Sequence, residues 1–102
     1  MAAEANELIH QPLRLKIMAA LNGLAAREPV EFTRLKALVE ATDGNLGAHL
    51  STLEQAGYIR IEKDFLGKKP RTRVTMTREG RKALLQHVAY LREVLEGVSS
   101  SG

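Results

Sequence analysis

The apolar residues of this chain change their period twice, and that change constrains the fold more than any other feature. Up to Leu53 they mostly recur every three or four residues, from Ile59 to Met76 they alternate, and from Leu84 onward they step again by four and three. The pattern predicts a mainly α chain carrying one small β hairpin. Its 102 residues are one domain's worth. With 44% hydrophobic and 4% aromatic residues, its core has to be built from Leu, Ile, Val and Ala.

Local punctuation sets the expected boundaries. Leu13, Ile17, Leu21 and Leu24, with Met18 beside them, predict a helix that Pro12 opens and Gly23 ends. Glu28-Pro29 breaks any continuation, and Val30-Glu31-Phe32 alternates like a very short strand. Thr33 can cap a brief helix carrying Leu35, Leu38 and Val39, closed by Glu40-Ala41. A third helix, over 42–56, starts at the cap Thr42, carries the stripe Leu46, Leu50 and Leu53, and stops at Gly57. Two helices joined by three residues make a helix-turn-helix pattern.

From Tyr58 to Phe65 the alternation puts Ile59, Ile61 and Phe65 on one face and Arg60, Glu62 and Asp64 on the other. Val74 and Met76 repeat it after the loop Leu66-Gly67-Lys68-Lys69-Pro70-Arg71, which closes a hairpin. Thr77 then caps a last helix running to about Glu96. Its residues Leu84, Val88, Leu91, Leu95 and Val98 fit a heptad seam, and a disordered tail is expected from Ser99.

Charge is concentrated in one place. Residues 1–59 have five basic and seven acidic side chains, a net of −2, and residues 83–102 have a net of −1. Residues 60–82 have nine basic against three acidic, a net of +6, which suits a polyanionic partner. The absence of cysteine excludes disulfides, thiolate zinc sites and thiol redox switches. No apolar run approaches the roughly 18 to 20 residues of a membrane helix, and Met1-Ala2-Ala3-Glu4 lacks the pattern of a signal peptide. A soluble, cytoplasmic protein with no membrane partner is expected.

Three segments stand out: His10-Gln11-Pro12-Leu13-Arg14-Leu15-Lys16-Ile17; Thr42-Asp43-Gly44-Asn45-Leu46-Gly47-Ala48-His49-Leu50 running on through Leu53 to Ile59; and Thr77-Arg78-Glu79-Gly80-Arg81. In order and spacing they resemble the winged helix-turn-helix transcriptional regulators of the MarR and ArsR type. They are similar to that family's first-helix opening, its recognition helix leading into the wing, and the entry to the helix after the wing. The resemblance covers nearly the whole chain. It implies one domain over 1–98: an N-terminal arm (1–11), a winged helix core of three helices and a wing (12–77), and a dimerisation helix (78–98), followed by the tail 99–102. It also implies a homodimeric regulator, a repressor or an activator, with the repressor taken first. Helix 42–56 would then enter the major groove of double-stranded DNA, with wing 66–73 on the phosphate backbone.

With Leu46, Leu50 and Leu53 facing inward, the outer face of the third helix presents Gly44, Ala48, Ser51 and Gln55, flanked by Asn45 and Thr52. Candidate DNA contacts are therefore Thr42, Asp43, Gly44, Asn45, Ala48, His49, Ser51 and Thr52, together with Lys68, Lys69, Arg71 and Arg73 of the wing. The Asn45 amide can pair bidentately with adenine, or it can bond the local backbone. His49 either helps hold the DNA backbone, as the resemblance allows, or is a partly buried, hydrogen-bonded histidine. Arg14 likewise has two open roles, pairing within the protein or reaching a phosphate. The sequence departs from the resemblance at Gly47 and Ala48, where such helices often carry Ser and then Arg or Lys. Gly47 either lets the backbone approach DNA or packs against a neighbour. The expected dimer interface is Leu84, Val88, Leu91 and Leu95, with Leu8 and Ile9 of the arm added.

Other classes find less support. No Gly-x-Ser-x-Gly elbow, phosphate loop or His-Glu-x-x-His pair argues for an enzyme. His10, His49 and His87 share no ligand spacing, so neither metal nor cofactor is expected. A small-molecule effector is compatible with the sequence, but nothing marks its pocket. The stronger rival is a winged helix used only for protein association, which the weakly charged recognition face would suit.

Overall fold

Four of the five described helices begin where a polar side chain accepts a free amide of the first turn. The computed structural model describes residues 3–24 and 28–101, with the side chains of the last helix described through Gly97. In α1 (Glu7–His10), Asn6 Oδ1 accepts from the Ile9 amide at 2.9 Å. In α2 (Pro12–Gly23), Gln11 Oε1 accepts from the Arg14 amide at 2.8 Å, and Pro12 fills the first helical position. After β1 (Val30–Glu31) and α3 (Phe32–Val39), α4 (Asp43–Gln55) is capped by Thr42 Oγ1, which accepts from Asn45 N at 3.2 Å. The hairpin β2 (Ile59–Leu66) and β3 (Lys69–Met76) leads into α5 (Arg78–Ser101), where Thr77 Oγ1 accepts from Gly80 N at 3.0 Å. The strands form one antiparallel sheet in the order β1-β3-β2, so the chain is mainly α with a small sheet.

The core lies where the helices meet the inner face of the hairpin. Ile17, Met18 and Leu21 of α2 meet Leu35 and Val39 of α3, Leu46, Leu50 and Leu53 of α4, and Ile59, Val74 and Met76 of the sheet. Each Leu or Ile buried this way stabilises the fold by roughly 1.5–3 kcal/mol. Glu54 Oε2 accepts from the Ile61 amide at 3.1 Å, which ties the end of α4 to the first strand of the wing.

Four expectations need correction. Residues 7–10 of the arm form α1, and Ile9, expected at the dimer interface, is fully buried in the chain's own core, so it has no surface to offer a second copy. Thr33 does not cap α3, which starts two residues earlier than that cap would place it, at Phe32 behind Glu31 and without a side-chain cap. Pairing of Val30 with Val74 and of Glu31 with Arg73 holds Glu31 extended, and the helix begins directly after it. The wing loop is not six residues long. Leu66 pairs with Lys69, leaving only Gly67 and Lys68 at the turn, and Gly67 takes the positive φ of 65° that the first central residue of a type II′ turn requires. Pro70 is tolerated within β3 because β1 reaches only Arg73 and Val74 of that strand. Finally, α5 passes the expected end at Val98 and stays helical to Ser101, since serines do not stop a helix as Gly or Pro does. Gly102 lies outside the described residues, as do Met1 and Ala2 and the side chain of Val98.

Candidate nucleic-acid interface

The second helix of the helix-turn-helix owes its outward face to small residues on the side opposite Leu46, Leu50 and Leu53. Gly44, Asn45, Gly47, Ala48, Ser51 and Gln55 are all exposed. A Cβ added at Gly44 or Gly47 would meet nothing within 4 Å, so neither glycine is there to admit a packed neighbour. That removes the packing explanation for Gly47.

At the amino end of α4, Thr42 is occupied by its cap, and Asp43 is paired with Lys36 Nζ at 2.6 Å. Thr52 Oγ1 donates back to the Ala48 carbonyl at 3.2 Å. Asn45 and Ser51 remain the exposed polar side chains on the first turns of this face.

Arg14 and His49 are brought together, both half-buried. Arg14 Nη1 donates to His49 Nδ1 at 3.1 Å, and Arg14 Nε donates to the Leu8 carbonyl. A guanidinium can only donate, so Nδ1 of His49 must be the acceptor and its proton sits on Nε2. The pair thus joins α1, α2 and α4.

On the wing the four expected cations divide into two kinds. Arg71 lies in β3, where Nε and Nη2 donate to Asp64 Oδ1 and Oδ2 at 2.9 and 2.8 Å, and Arg73 Nη2 reaches Asp64 Oδ2 at 3.2 Å and Glu62 Oε2 at 3.7 Å. The Arg71 hydrogen bonds hold the Asp64 carboxyl below its usual range, and the same bonds raise Arg71. These arginines are largely neutralised by carboxylates on their own face of the ribbon. Lys68 and Lys69, at the turn, are exposed and make no ion pair among the described residues.

One cation escaped the sequence reading. Lys63, with Gly47, Ser51, Glu54, Ile61 and Thr72, lines a groove of about 570 Å³ between α4 and the wing. Its signal was parity: Lys63 lies on the Ile59 and Ile61 face of β2. The structure also joins two histidines 77 residues apart, His10 Nδ1 and His87 Nε2, at 3.4 Å. Among the described residues, no group of three or more His, Cys, Asp or Glu side chains is arranged to hold a metal ion. No described helix is long and apolar enough to cross a membrane.

A helix-turn-helix whose second helix lies against a basic hairpin, followed by a long helix, is a recognisable arrangement, and residues 13–95 match the winged helix DNA-binding domain. The chain belongs to that family. It is 34% identical over 90 residues to an uncharacterised protein of Methanocaldococcus jannaschii, an alignment covering 88% of this chain and 91% of that one. Among solved structures it is similar to a transcriptional regulator homologue from Pyrococcus horikoshii (TM-score 0.80, 28% identity, 91% of this chain and 89% of that one). It is also similar to a PadR family transcriptional regulator from Eggerthella lenta (TM-score 0.66, 27% identity, 91% and 87%). The Mycobacterium tuberculosis transcriptional regulator MosR, solved in complex with DNA, shares the fold at 20% identity (TM-score 0.67, 88% of this chain and 62% of that one). In this winged helix domain, α4 is the second helix of the helix-turn-helix and β2–β3 the wing.

Proposed function

We propose that this winged helix domain is a homodimeric transcriptional regulator that represses by occupying duplex DNA. In this reading α4 enters the major groove, Asn45 and Ser51 meet base edges, and Lys63, Lys68 and Lys69 meet phosphates. The observation that carries it is the pairing of an uncharged, small-residue helix face with unneutralised lysines on the adjacent wing. A helix of that shape can sit deep in the groove while the cations reach the backbone on its flank. Dimerisation is assigned to the distal half of α5, where Leu91 is half-buried and Val94 and Leu95 are exposed. Leu8, half-buried and packed against the core, is counted with that interface as the remaining apolar residue of the arm.

A second reading, protein association alone, is favoured by the absence of any cation on the described outer face of α4. Titration of random and selected duplex at several salt concentrations separates the two. The regulator reading expects log affinity to fall with log salt by about 0.9 per phosphate contact. It also expects Asn45→Ala to lose about 1–3 kcal/mol of discrimination at one position of each half-site. Salt-independent or absent binding to every duplex would leave the protein-association reading.

A further inference from the structure

The wing ends in apolar side chains that its own fold does not use. Phe65 is 70% exposed and Leu66 63% exposed, beside the turn at Gly67 and Lys68, where polar residues are the usual choice. Phe65 pairs with Pro70 and Leu66 with Lys69, so the last two rungs of the ribbon carry apolar groups on both faces. The rung below them is the Asp64 and Arg71 pair, whose two short hydrogen bonds brace the stalk. Lys68 stands in the turn, Lys69 pairs with Leu66, and Lys63 lies two residues below Phe65 on the same face of β2, all three exposed.

An apolar point flanked by cations fits a partner that is anionic outside and apolar within. Duplex DNA is such a partner, with phosphates on its rim and stacked bases inside. A second copy is a poor occupant, because meeting tip to tip would set Lys68 and Lys69 against themselves. The minor groove, about 6 Å wide, admits side chains from a hairpin tip but not the whole ribbon. Phe and Leu are among the residues that open base steps from that groove.

We propose that Phe65, with Leu66 behind it, is a wedge that enters the minor groove and partly unstacks one base step while the lysines hold the flanking phosphates. The inference rests on the duplex-binding reading above and adds to it a kink. Pyrimidine–purine steps unstack most readily, so the wedge would confer sequence preference at positions where no base edge is read.

Two measurements test it. The chain has no tryptophan, so Phe65→Trp supplies the only indole emission. On titration with a short duplex rich in TA steps, stacking between bases should quench that emission. In parallel, closed-circular plasmid is relaxed by a topoisomerase with the protein bound and then stripped of protein. The wild type should leave an altered linking number, and Phe65→Ala with Leu66→Ser, added until the same fraction of plasmid is bound, should lose that change. Circular dichroism checks that each variant is folded. Binding with unquenched indole and an unaltered linking number would overturn the wedge and leave duplex binding standing. Absence of duplex binding would overturn both, and indole emission that shifts with protein concentration alone would assign the tip to a second copy.

Discussion

Gly80 lies against the backbone of Tyr58 so closely that a Cβ added to it would stand 2.0 Å from the Tyr58 carbonyl oxygen. The Thr77 amide donates to that same oxygen at 3.0 Å, and Thr77 Oγ1 donates to the Gly57 carbonyl at 2.7 Å. The first turn of α5 is thus pressed onto the start of β2, and only glycine allows the approach. Gly80→Ala should destabilise the fold by about 1–3 kcal/mol, the usual range for overpacking. Thermal unfolding reads this directly, and an unchanged midpoint would mean the contact relaxes without cost.

Stability should fall as the pH drops below neutrality, because of His87. Its ring is fully buried; Nδ1 accepts from the Asn6 amide at 3.0 Å, Nε2 faces His10 Nδ1 at 3.4 Å, and Tyr90 stacks on it. An Nδ1 that accepts a hydrogen bond is unprotonated, so the folded chain holds His87 neutral. Burial lowers its pKa from the ordinary 6.5, the charge of His10 lowers it further, and Glu7 opposes the shift. Below about pH 6.5 the unfolded chain takes up a proton that the folded chain refuses, so the contribution of His87 is fully present above that value and is lost as the pH falls from there through the lowered folded-state pKa. Unfolding midpoints at pH 7.5 and 5.5 should differ in that sense for the wild type. His87→Gln should flatten the difference, and an equal slope in that variant would assign the effect elsewhere.

These two contacts also mark how far the sequence was readable. Local signals carried α4 well, because the Thr42 cap, the Leu46, Leu50 and Leu53 stripe and Gly57 all act within a few residues of one another. The Thr77 and Gly80 signature was visible, but not its reason, since Tyr58 approaches only through the tertiary fold. His10 and His87 lie on elements that only packing brings together. The fates of Arg71 and Arg73 depended on register. Once the turn is known to be two residues long, counting outward pairs Asp64 with Arg71, whereas a six-residue loop hid that partnership and made the wing look more cationic than it is.

That partnership has a measurable consequence for DNA binding. Lys68→Ala with Lys69→Ala should flatten the slope of log affinity against log salt by up to about two units. Asp64→Asn should act oppositely, because it releases Arg71 and Arg73 from their carboxylate and steepens the slope. If Asp64→Asn leaves the slope alone while the lysine pair changes it, the two arginines only brace the hairpin and never reach phosphate.

The apolar stripe of α5 divides between buried and exposed residues, and the proposed dimer can be tested residue by residue. Leu84 is buried in the chain's own core and Val88 packs at its edge, so both are already committed. Leu95 is 68% exposed and Val94 44% exposed, and with Leu91 they continue the same helical stripe beyond the body of the domain. An apolar stripe of this kind is costly in water and calls for a partner of the same shape, which a second α5 supplies. Leu84→Glu should unfold the domain, since it buries an unpaired charge. Leu95→Glu should leave circular dichroism unchanged and convert dimer to monomer in sedimentation, with Leu91→Glu doing the same at some cost in stability. If Leu91→Glu combined with Leu95→Glu still sediments as a dimer, the interface lies off this stripe. If the wild type is already a monomer, the exposed half of α5 awaits a different chain.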